Sequence, residues 1–326
     1  MKFVKRICFW IIGIQIVSLS LLNAEVKRSP EVRYGSIQEY RNRQALLKGS
    51  ASSSSSTSHH AVAKSDLGLQ RPVETKKQGF GYHFGFESKL LHSNNPGSAA
   101  DSNTMIDSAG IWENALSNNF LLGAYDFGGA SFSPIVGLGF SNSSYFGNDD
   151  LSILDSNNLN ISFTGIFQFA QGWSVRSGLS SSFDFNTAMS QTYRQTSPTL
   201  GVSKGFNIAA ASAFVDFSLS YHLTDTPSEA DKMDRLETAL LFGVEIPIGN
   251  LEISPYLRFC LANYGNQKRD EFSTNTGLDI AYHFYDWLAL KFLLSYSNRN
   301  ASGEDGASAD FSRFDFGGAL SLNAQF

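Results

Sequence analysis

From Gly79 to the C-terminus, hydrophobic and polar residues alternate along the chain in a series of short segments. In the first segment Phe80, Tyr82, Phe84 and Phe86 are separated by glycine or polar residues. Alternation with a period of two is typical of β-strands that have one apolar and one polar face. The pattern predicts twelve strands, over residues 80–87, 116–124, 132–140, 159–169, 173–185, 200–202, 213–221, 236–246, 251–261, 272–284, 288–296 and 314–326.

The extreme N-terminus carries the one strongly apolar run. Lys2, Lys5 and Arg6 precede an apolar stretch from Ile7 to Leu22, and small residues follow it before Glu25. This order is that of a secretory signal peptide, so we predict that residues 1–24 are removed. After residue 24 no stretch approaches the ~20 apolar residues that a membrane helix needs. If the mature chain crosses a membrane, we therefore expect it to do so as a closed barrel, since only helices and closed barrels satisfy their backbone groups in lipid.

The predicted connections between strands alternate in length. Long linkers cover residues 93–114, 142–157, 186–193, 222–234, 264–270 and 298–311, and short ones cover 126–129, 170–172, 205–208, 248–250 and 285–286. Bacterial membrane barrels have short periplasmic turns and longer external loops, and an even number of strands. The sequence therefore predicts an all-β, antiparallel up-and-down transmembrane β-barrel over residues 79–326, with both termini on the periplasmic side.

Residues 25–78 differ from the rest of the mature chain. They contain a serine-rich run from Ser50 to Ser58, few apolar residues, ten Lys or Arg and five Asp or Glu. Such a segment cannot bury enough apolar surface to order itself, so we predict a disordered, basic periplasmic tail. A plug inside the barrel is the alternative. The barrel region keeps 12 basic and 25 acidic residues, and this acidic balance does not suggest a nucleic-acid partner.

The last predicted strand ends on a phenylalanine. Its alternating positions are Phe314, Phe316, Gly318, Leu320, Leu322, Ala324 and Phe326. This pattern resembles that of bacterial outer-membrane barrels whose closing strand ends in a carboxy-terminal Phe. The resemblance implies outer-membrane lipid and the barrel assembly machinery as partners, and it implies that an assembly signal is formed by Phe314, Phe316, Leu320, Leu322 and Phe326. The alternating pattern resembles that of these barrels over residues 79–326, whereas the specific motif is found only in the last strand. The resemblance indicates no subfamily.

Charged residues gather at the strand positions that alternate with the apolar ones. A Lys or Arg facing lipid near the middle of the bilayer would cost about 2–4 kcal/mol, so these positions are expected to face the lumen. The set is nearly balanced, with six basic and seven acidic members: Glu87, Lys89, Arg176, Asp216, Arg235, Glu237, Glu245, Glu252, Arg258, Asp279, Lys291, Arg313 and Asp315. Two interpretations remain open, a lattice of salt bridges that supports the wall and a hydrated path for small solutes.

Catalytic patterns known from outer-membrane barrels are only weakly matched. The omptin proteases need a pair of Asp residues and a pair of Asp and His that converge at the outer rim, and the nearest candidates are Asp149 with Asp150 and His222 with Asp225. The phospholipase pattern needs a His and a Ser that are separated by one intervening residue, whereas His92 and Ser93 follow each other directly. An autotransporter is a further alternative, but the segment before Gly79 is too short and polar for a folded passenger.

The sequence therefore favours a passive channel for small hydrophilic solutes. A structural or surface-interaction barrel with a closed lumen is the alternative, and an outer-membrane hydrolase is less favoured. We expect no enzyme activity, cofactor or metal, and we interpret Cys260 as a packing residue in the mature chain.

Overall fold

The computed structural model describes residues 80–97, 108–147, 149–226, 233–265, 268–303 and 310–326. The predicted signal peptide, 1–24, and the predicted tail, 25–78, lie outside these residues. The described strands are β1 (Gly81–Ser93), β2 (Ala109–Leu121), β3 (Tyr125–Asp126), β4 (Ala130–Phe146), β5 (Ser156–Phe169), β6 (Trp173–Phe185), β7 (Gln191–Ile208), β8 (Ala211–Asp225), β9 (Arg235–Ile248), β10 (Leu251–Tyr264), β11 (Arg269–Tyr285), β12 (Leu288–Gly303) and β13 (Phe311–Gln325). Short 3-10 turns cover Asp149–Leu154 and Ala170–Gly172.

Twelve long strands form one closed antiparallel sheet. Strands that follow one another along the chain are paired, β2 pairs with β4, and β1 pairs with β13 to complete the circle. The two-residue strand β3 pairs with the start of β4 beside the connection between β2 and β4. Among the twelve long strands described here, closure leaves no strand without a neighbour on each side, so none of them presents a free sheet edge. The predicted twelve-strand up-and-down barrel is confirmed.

Among the described residues, no helix has both the length and the apolar character needed to span a membrane.

The two ends of the barrel differ in the length of their connections. At one end, the short-turn end, residues 170–172, 209–210, 249–250 and 286–287 join successive strands, while the connection from β2 to β4 takes residues 122–129. The other end carries the remaining connections, and we call it the long-loop end. The predicted short linker at 205–208 is wrong, because β7 continues to Ile208.

Several strands extend further toward the long-loop end than the hydrophobic pattern predicts. Strand β2 begins at Ala109, β4 continues to Phe146 and β12 to Gly303. The predicted sixth strand, residues 200–202, is the centre of an 18-residue strand that begins at Gln191. Backbone pairing continues in these regions although most outward side chains become polar, with Trp112 and Phe146 as exceptions, so the regular alternation ends before the hydrogen-bonded ladder does.

The two faces of the sheet have opposite character. Large apolar side chains point outward and are exposed, such as Leu90 at 58% and Phe163 at 50%, while charged side chains between them, such as Lys89 at 6%, are covered. A continuous exposed apolar surface of this kind is unfavourable in water. It suits a lipid environment, with the polar face of the sheet turned into the barrel.

Candidate functional site: the inner wall of the barrel

All thirteen charged residues predicted to face the lumen occupy the inward-facing positions of their strands. Seven of them line one cavity inside the barrel: Glu87, Lys89, Arg176, Asp216, Arg235, Glu237 and Arg258. The other six lie elsewhere on the inner face, on β9 to β13: Glu245, Glu252, Asp279, Lys291, Arg313 and Asp315. The structure thus divides the predicted set into cavity-lining residues and residues packed against other parts of the wall.

The first charge cluster connects four strands across the point where the barrel closes. Lys89 on β1 donates to Glu113 on β2 at 2.9 Å and lies 3.4 Å from Glu87. Lys291 on β12 also donates to Glu87 and reaches it across β13. Carboxylates and ammonium groups therefore alternate from β12 to β2, so each charge has a compensating neighbour.

The second cluster is a two-pronged ion pair. The guanidinium of Arg176 on β6 donates to both carboxylate oxygens of Asp216 on β8, with Nη2 at 2.7 Å from Oδ1. The pair spans β7 and passes over Gly201, where a Cβ atom would lie 2.4 Å from Arg176 Cζ. A glycine at this position leaves the space that the guanidinium occupies.

The third cluster surrounds Glu237. Arg258 Nη2 donates to its Oε1 at 2.6 Å, while Arg235 Nε lies 3.8 Å and His222 Nε2 lies 3.5 Å from its Oε2. On the other side of the imidazole, His222 Nδ1 is 2.8 Å from Ser197 Oγ. A hydroxyl, an imidazole and a carboxylate in this order can serve nucleophilic catalysis. Here the Glu237 carboxylate lies closer to Arg258, at 2.6 Å, than to the His222 imidazole, at 3.5 Å. This arrangement fits charge compensation within the wall.

The hydrolase candidates suggested by the sequence are not brought together. His222 faces inward on β8, whereas Asp225 takes the opposite parity and pairs with Arg194 on β7. His92 faces outward and packs against Phe316 with ring centres 5.1 Å apart, while Ser93 beside it is fully buried on the inner face. Asp149 and Asp150 lie in the 3-10 turn after β4.

Five charged residues on the inner face were missed by the sequence analysis: Glu113, Asp184, Arg269, Glu271 and Arg299. Glu113, Arg269 and Arg299 fall in predicted linkers that the structure places in strands. Arg269 Nη2 lies 2.8 Å from Glu271 Oε1, and Arg299 Nη1 lies 3.8 Å from Glu271 Oε2. The signal for Asp184 was available, because it shares the inward parity of Arg176 on β6.

The cavity has a volume of about 570 Å³ and runs along one side of the inner wall. Toward the short-turn end it reaches Asn323, Thr164 and Leu241, and toward the long-loop end it reaches Gln195 and Arg235. On β4 to β7 its lining consists mainly of serine, threonine, asparagine and glycine, with Arg176 and Asp184 as the charged members. Long charged side chains fill the opposite side, so the open space is displaced toward the wall with short side chains.

An apolar cluster occupies the inside of the barrel on the side of β1, β2 and β13. Inward residues form a row across four neighbouring strands, since Tyr145 pairs with Ile111, Ile111 with Leu91, and Leu91 with Gly317. Leu151 and Leu154, from the turn between β4 and β5, are 0% and 3% exposed and belong to the same cluster. The connection predicted over 142–157 as an external linker therefore folds partly into the barrel. We call this group the apolar cap.

Four residues of the implied assembly signal lie on the closing strand β13, and the fifth, Phe326, directly follows it. Phe314, Phe316 and Leu320 are exposed on its outer face and Leu322 is partly covered. Phe326 exchanges backbone hydrogen bonds of 2.9 and 3.0 Å with Tyr82 at the start of β1. The last residue thus takes part in the pairing that closes the barrel.

Two further expectations concern metals and the thiol. Within the described residues, no three His, Cys, Asp or Glu side chains are grouped so that they could hold a metal ion. Cys260 is a free, buried cysteine on the inner face of β10.

No protein-family model matches the sequence, and no curated protein matches it. Among solved structures, an outer-membrane channel from Pseudomonas putida F1 is similar with a TM-score of 0.50 and 11% identity, over 78% of this chain and 99% of that one. The translocator domain of autotransporter NalP from Neisseria meningitidis has a TM-score of 0.40 and 11% identity, over 88% and 95%. A loop-deletion mutant of the Vibrio cholerae outer-membrane protein OmpT has a TM-score of 0.38 and 10% identity, over 76% and 99%.

The closed antiparallel sheet, its apolar outer face and the similarity to the Pseudomonas channel define the class of the protein. It has the fold of an outer-membrane β-barrel. At this level of identity the similarity concerns the fold alone, and it indicates no subfamily.

Proposed function

We propose that this barrel lies in the outer membrane and lets small hydrophilic solutes pass without coupling to an energy source. The observation that carries the proposal is the cavity of about 570 Å³ along the inner wall, which is lined by hydroxyl, amide and compensated charged groups. Such a lining replaces part of a solute's hydration and presents no strong field of one sign. A barrel of twelve strands also lies between the smallest barrels, which their own side chains fill, and the wide porins.

The proposal includes an orientation and a route of assembly. Short turns are periplasmic and long loops external in bacterial barrels, so both ends of the mature chain would lie in the periplasm. The signal peptide, 1–24, would be removed and the basic segment 25–78 would remain in the periplasm. Phe314, Phe316, Leu320, Leu322 and Phe326 would be read by the barrel assembly machinery before insertion.

A second candidate function is a structural or surface-interaction barrel whose lumen is closed. The apolar cap favours it, because Leu151 and Leu154 pack against Leu91 and Ile111 inside the barrel. Apolar groups inside a pore oppose the entry of water and ions.

Conductance across a planar lipid bilayer tests the proposal. We expect the purified protein, beginning at Glu25, to produce discrete ion currents with weak preference for cations or anions, because the lumen charges are nearly balanced. A second protein beginning at Gly79 examines the segment 25–78: a larger current indicates that this segment obstructs the pore, and an equal current indicates a free tail. Currents no larger than those of the bare bilayer from both proteins would reject the channel and favour the closed barrel.

A further inference from the structure

One recess in the cavity wall is built from neutral polar side chains between glycines. Asn160 and Ser162 on β5 face Gly139 and Gly137 on β4, and Ser162 faces Ser180 on β6. All of these residues line the cavity. Gly137 is buried, and a Cβ atom there would lie 2.4 Å from Ser162 Oγ, so the serine hydroxyl fills that space. At Gly139, which is partly exposed, only Asn160 Cβ and the Leu116 oxygen would lie within 4 Å of a Cβ atom, so a solute can approach the backbone of β4 beside Asn160.

The polar groups of this recess are available for a ligand. Among the described residues, Asn160, Ser162 and Ser180 make no side-chain hydrogen bond to another residue, and all three are only partly covered. Other polar residues of the cavity are already engaged, as Thr199 and Ser220 are, with their hydroxyls 2.9 Å apart. Hydroxyl and amide groups offer both donors and acceptors.

Charged groups near the recess are already engaged within the wall. Arg176 is paired with Asp216, and Asp184 Oδ1 accepts a hydrogen bond from Asn158 at 2.6 Å on the side toward the long-loop end. An ion entering the recess would lose hydration to groups that already have partners, whereas a neutral solute rich in hydroxyls would exchange water for matching hydrogen bonds. The volume of about 570 Å³ also falls in the ~300–1,000 Å³ range of small-molecule sites.

We propose that the cavity binds neutral, polyhydroxylated solutes, that is, uncharged sugars or short oligosaccharides, with Asn160, Ser162 and Ser180 as contact residues. The proposal rests on the proposed function as a channel, which it narrows from small hydrophilic solutes to one chemical class. Binding is weak and reversible, because each contact replaces one hydrogen bond to water.

The test is current block in a planar bilayer by maltotriose, with polyethylene glycol of equal hydrodynamic radius as the size control. Maltotriose is expected to reduce the current in a saturable manner, and the polymer only in proportion to the volume it excludes. Asn160→Leu should raise the half-blocking concentration about fivefold, because one hydrogen bond contributes about 1 kcal/mol. Asn114→Leu is the matched control, since Asn114 faces outward on β2. Its half-blocking concentration of maltotriose should equal that of the unaltered protein.

Calorimetric titration of the detergent-solubilised protein with maltotriose separates the two proposals, because binding heat does not require conduction. Currents that maltotriose and the polymer reduce equally, without binding heat, would overturn the sugar proposal and leave the channel in place. Binding heat that Asn160→Leu removes, without any current, would support the sugar site and reject the channel. Equal half-blocking concentrations of maltotriose for Asn160→Leu and Asn114→Leu would exclude the recess as the contact site.

Discussion

Two inward-facing charge pairs reach across an intervening strand at a residue with little or no side chain. Neighbouring strands lie about 4.8 Å apart, so groups on alternate strands are separated by about 10 Å of wall. Arg176 crosses β7 over Gly201, and Lys291 crosses β13 beside Ala319 to reach Glu87. A long basic side chain can span that distance only if the middle strand leaves room, so each ion pair depends on the small residue between its partners.

The pair of Arg176 and Asp216 should therefore show coupled stability. Asp216→Asn or Arg176→Gln alone leaves one covered charge without its partner, and each should lower the free energy of unfolding by about 1–3 kcal/mol. The double variant should recover part of the loss, because no charge is left uncompensated. Urea titration followed by the shift between folded and unfolded bands on gels measures the three values. Losses that simply add would show that the two groups do not interact in the folded barrel.

Parity along the strands predicted which charged residues face inward, but not which of them are partners. Arg176 and Asp216 could both be placed on the inner face from the sequence, since each alternates with apolar neighbours. Their pairing depends on the register of β6, β7 and β8 and on the glycine between them, and no local pattern encodes that register. The side-chain contacts that connect Ser197, His222 and Glu237 were not predicted, for the same reason.

At the scale of strands, the closing pair β1 and β13 approach unusually closely at one position. A Cβ atom at Gly317 would lie 2.1 Å from the carbonyl oxygen of Leu90 and 2.8 Å from Leu91 Cα. At the adjacent Gly318 the nearest atom, the Lys291 oxygen, would be 3.5 Å away, which is an ordinary contact. Only the first of these two glycines is required by the geometry of closure.

Gly317→Ala should thus destabilise the barrel, whereas Gly318→Ala should not. The extra methyl group at 317 meets backbone atoms, which cannot turn aside as a side chain can, and overpacking of this kind costs about 1–3 kcal/mol. The temperature at which the folded band is lost on semi-native gels should fall for the first variant and stay near that of the unaltered protein for the second. Equal melting of both variants would contradict the close approach of β1 and β13.

Strand ends were the least predictable part of the elements. Glu113 was assigned to a linker because Asn114 and Gly110, on the other face of β2, break the apolar alternation. The strand nevertheless continues to Ala109 through pairing with β1 and β4. Its continuation is stabilised by backbone hydrogen bonds and by Lys89, which are tertiary contacts that alternation along one strand does not report.

At the scale of the whole molecule, polar and apolar zones divide the interior. The cavity follows the wall of short polar side chains, while the apolar cap extends inward from β1, β2 and β13 with Leu151 and Leu154 as its inner part. Leu151 and Leu154 come from the turn after β4, while the other members of the cap lie on strands. The contribution of the turn was not predicted, because acidic residues and serine flank the two leucines. Its position inside the barrel makes it the strongest candidate for the narrowest part of a permeation path.

Replacing Leu151 and Leu154 together by serine should therefore increase the single-channel conductance. Apolar walls favour the loss of water from a narrow passage, and serine lets water remain there, so the barrier to ions should fall. Leu223→Ser serves as the control, because Leu223 lies on β8 with 46% of its surface exposed on the outer face. Bilayer recordings of the three proteins provide the comparison. Current that appears only in the double variant would identify the cap as the closure of an otherwise polar lumen, and identical currents in all three would move the constriction to another part of the wall.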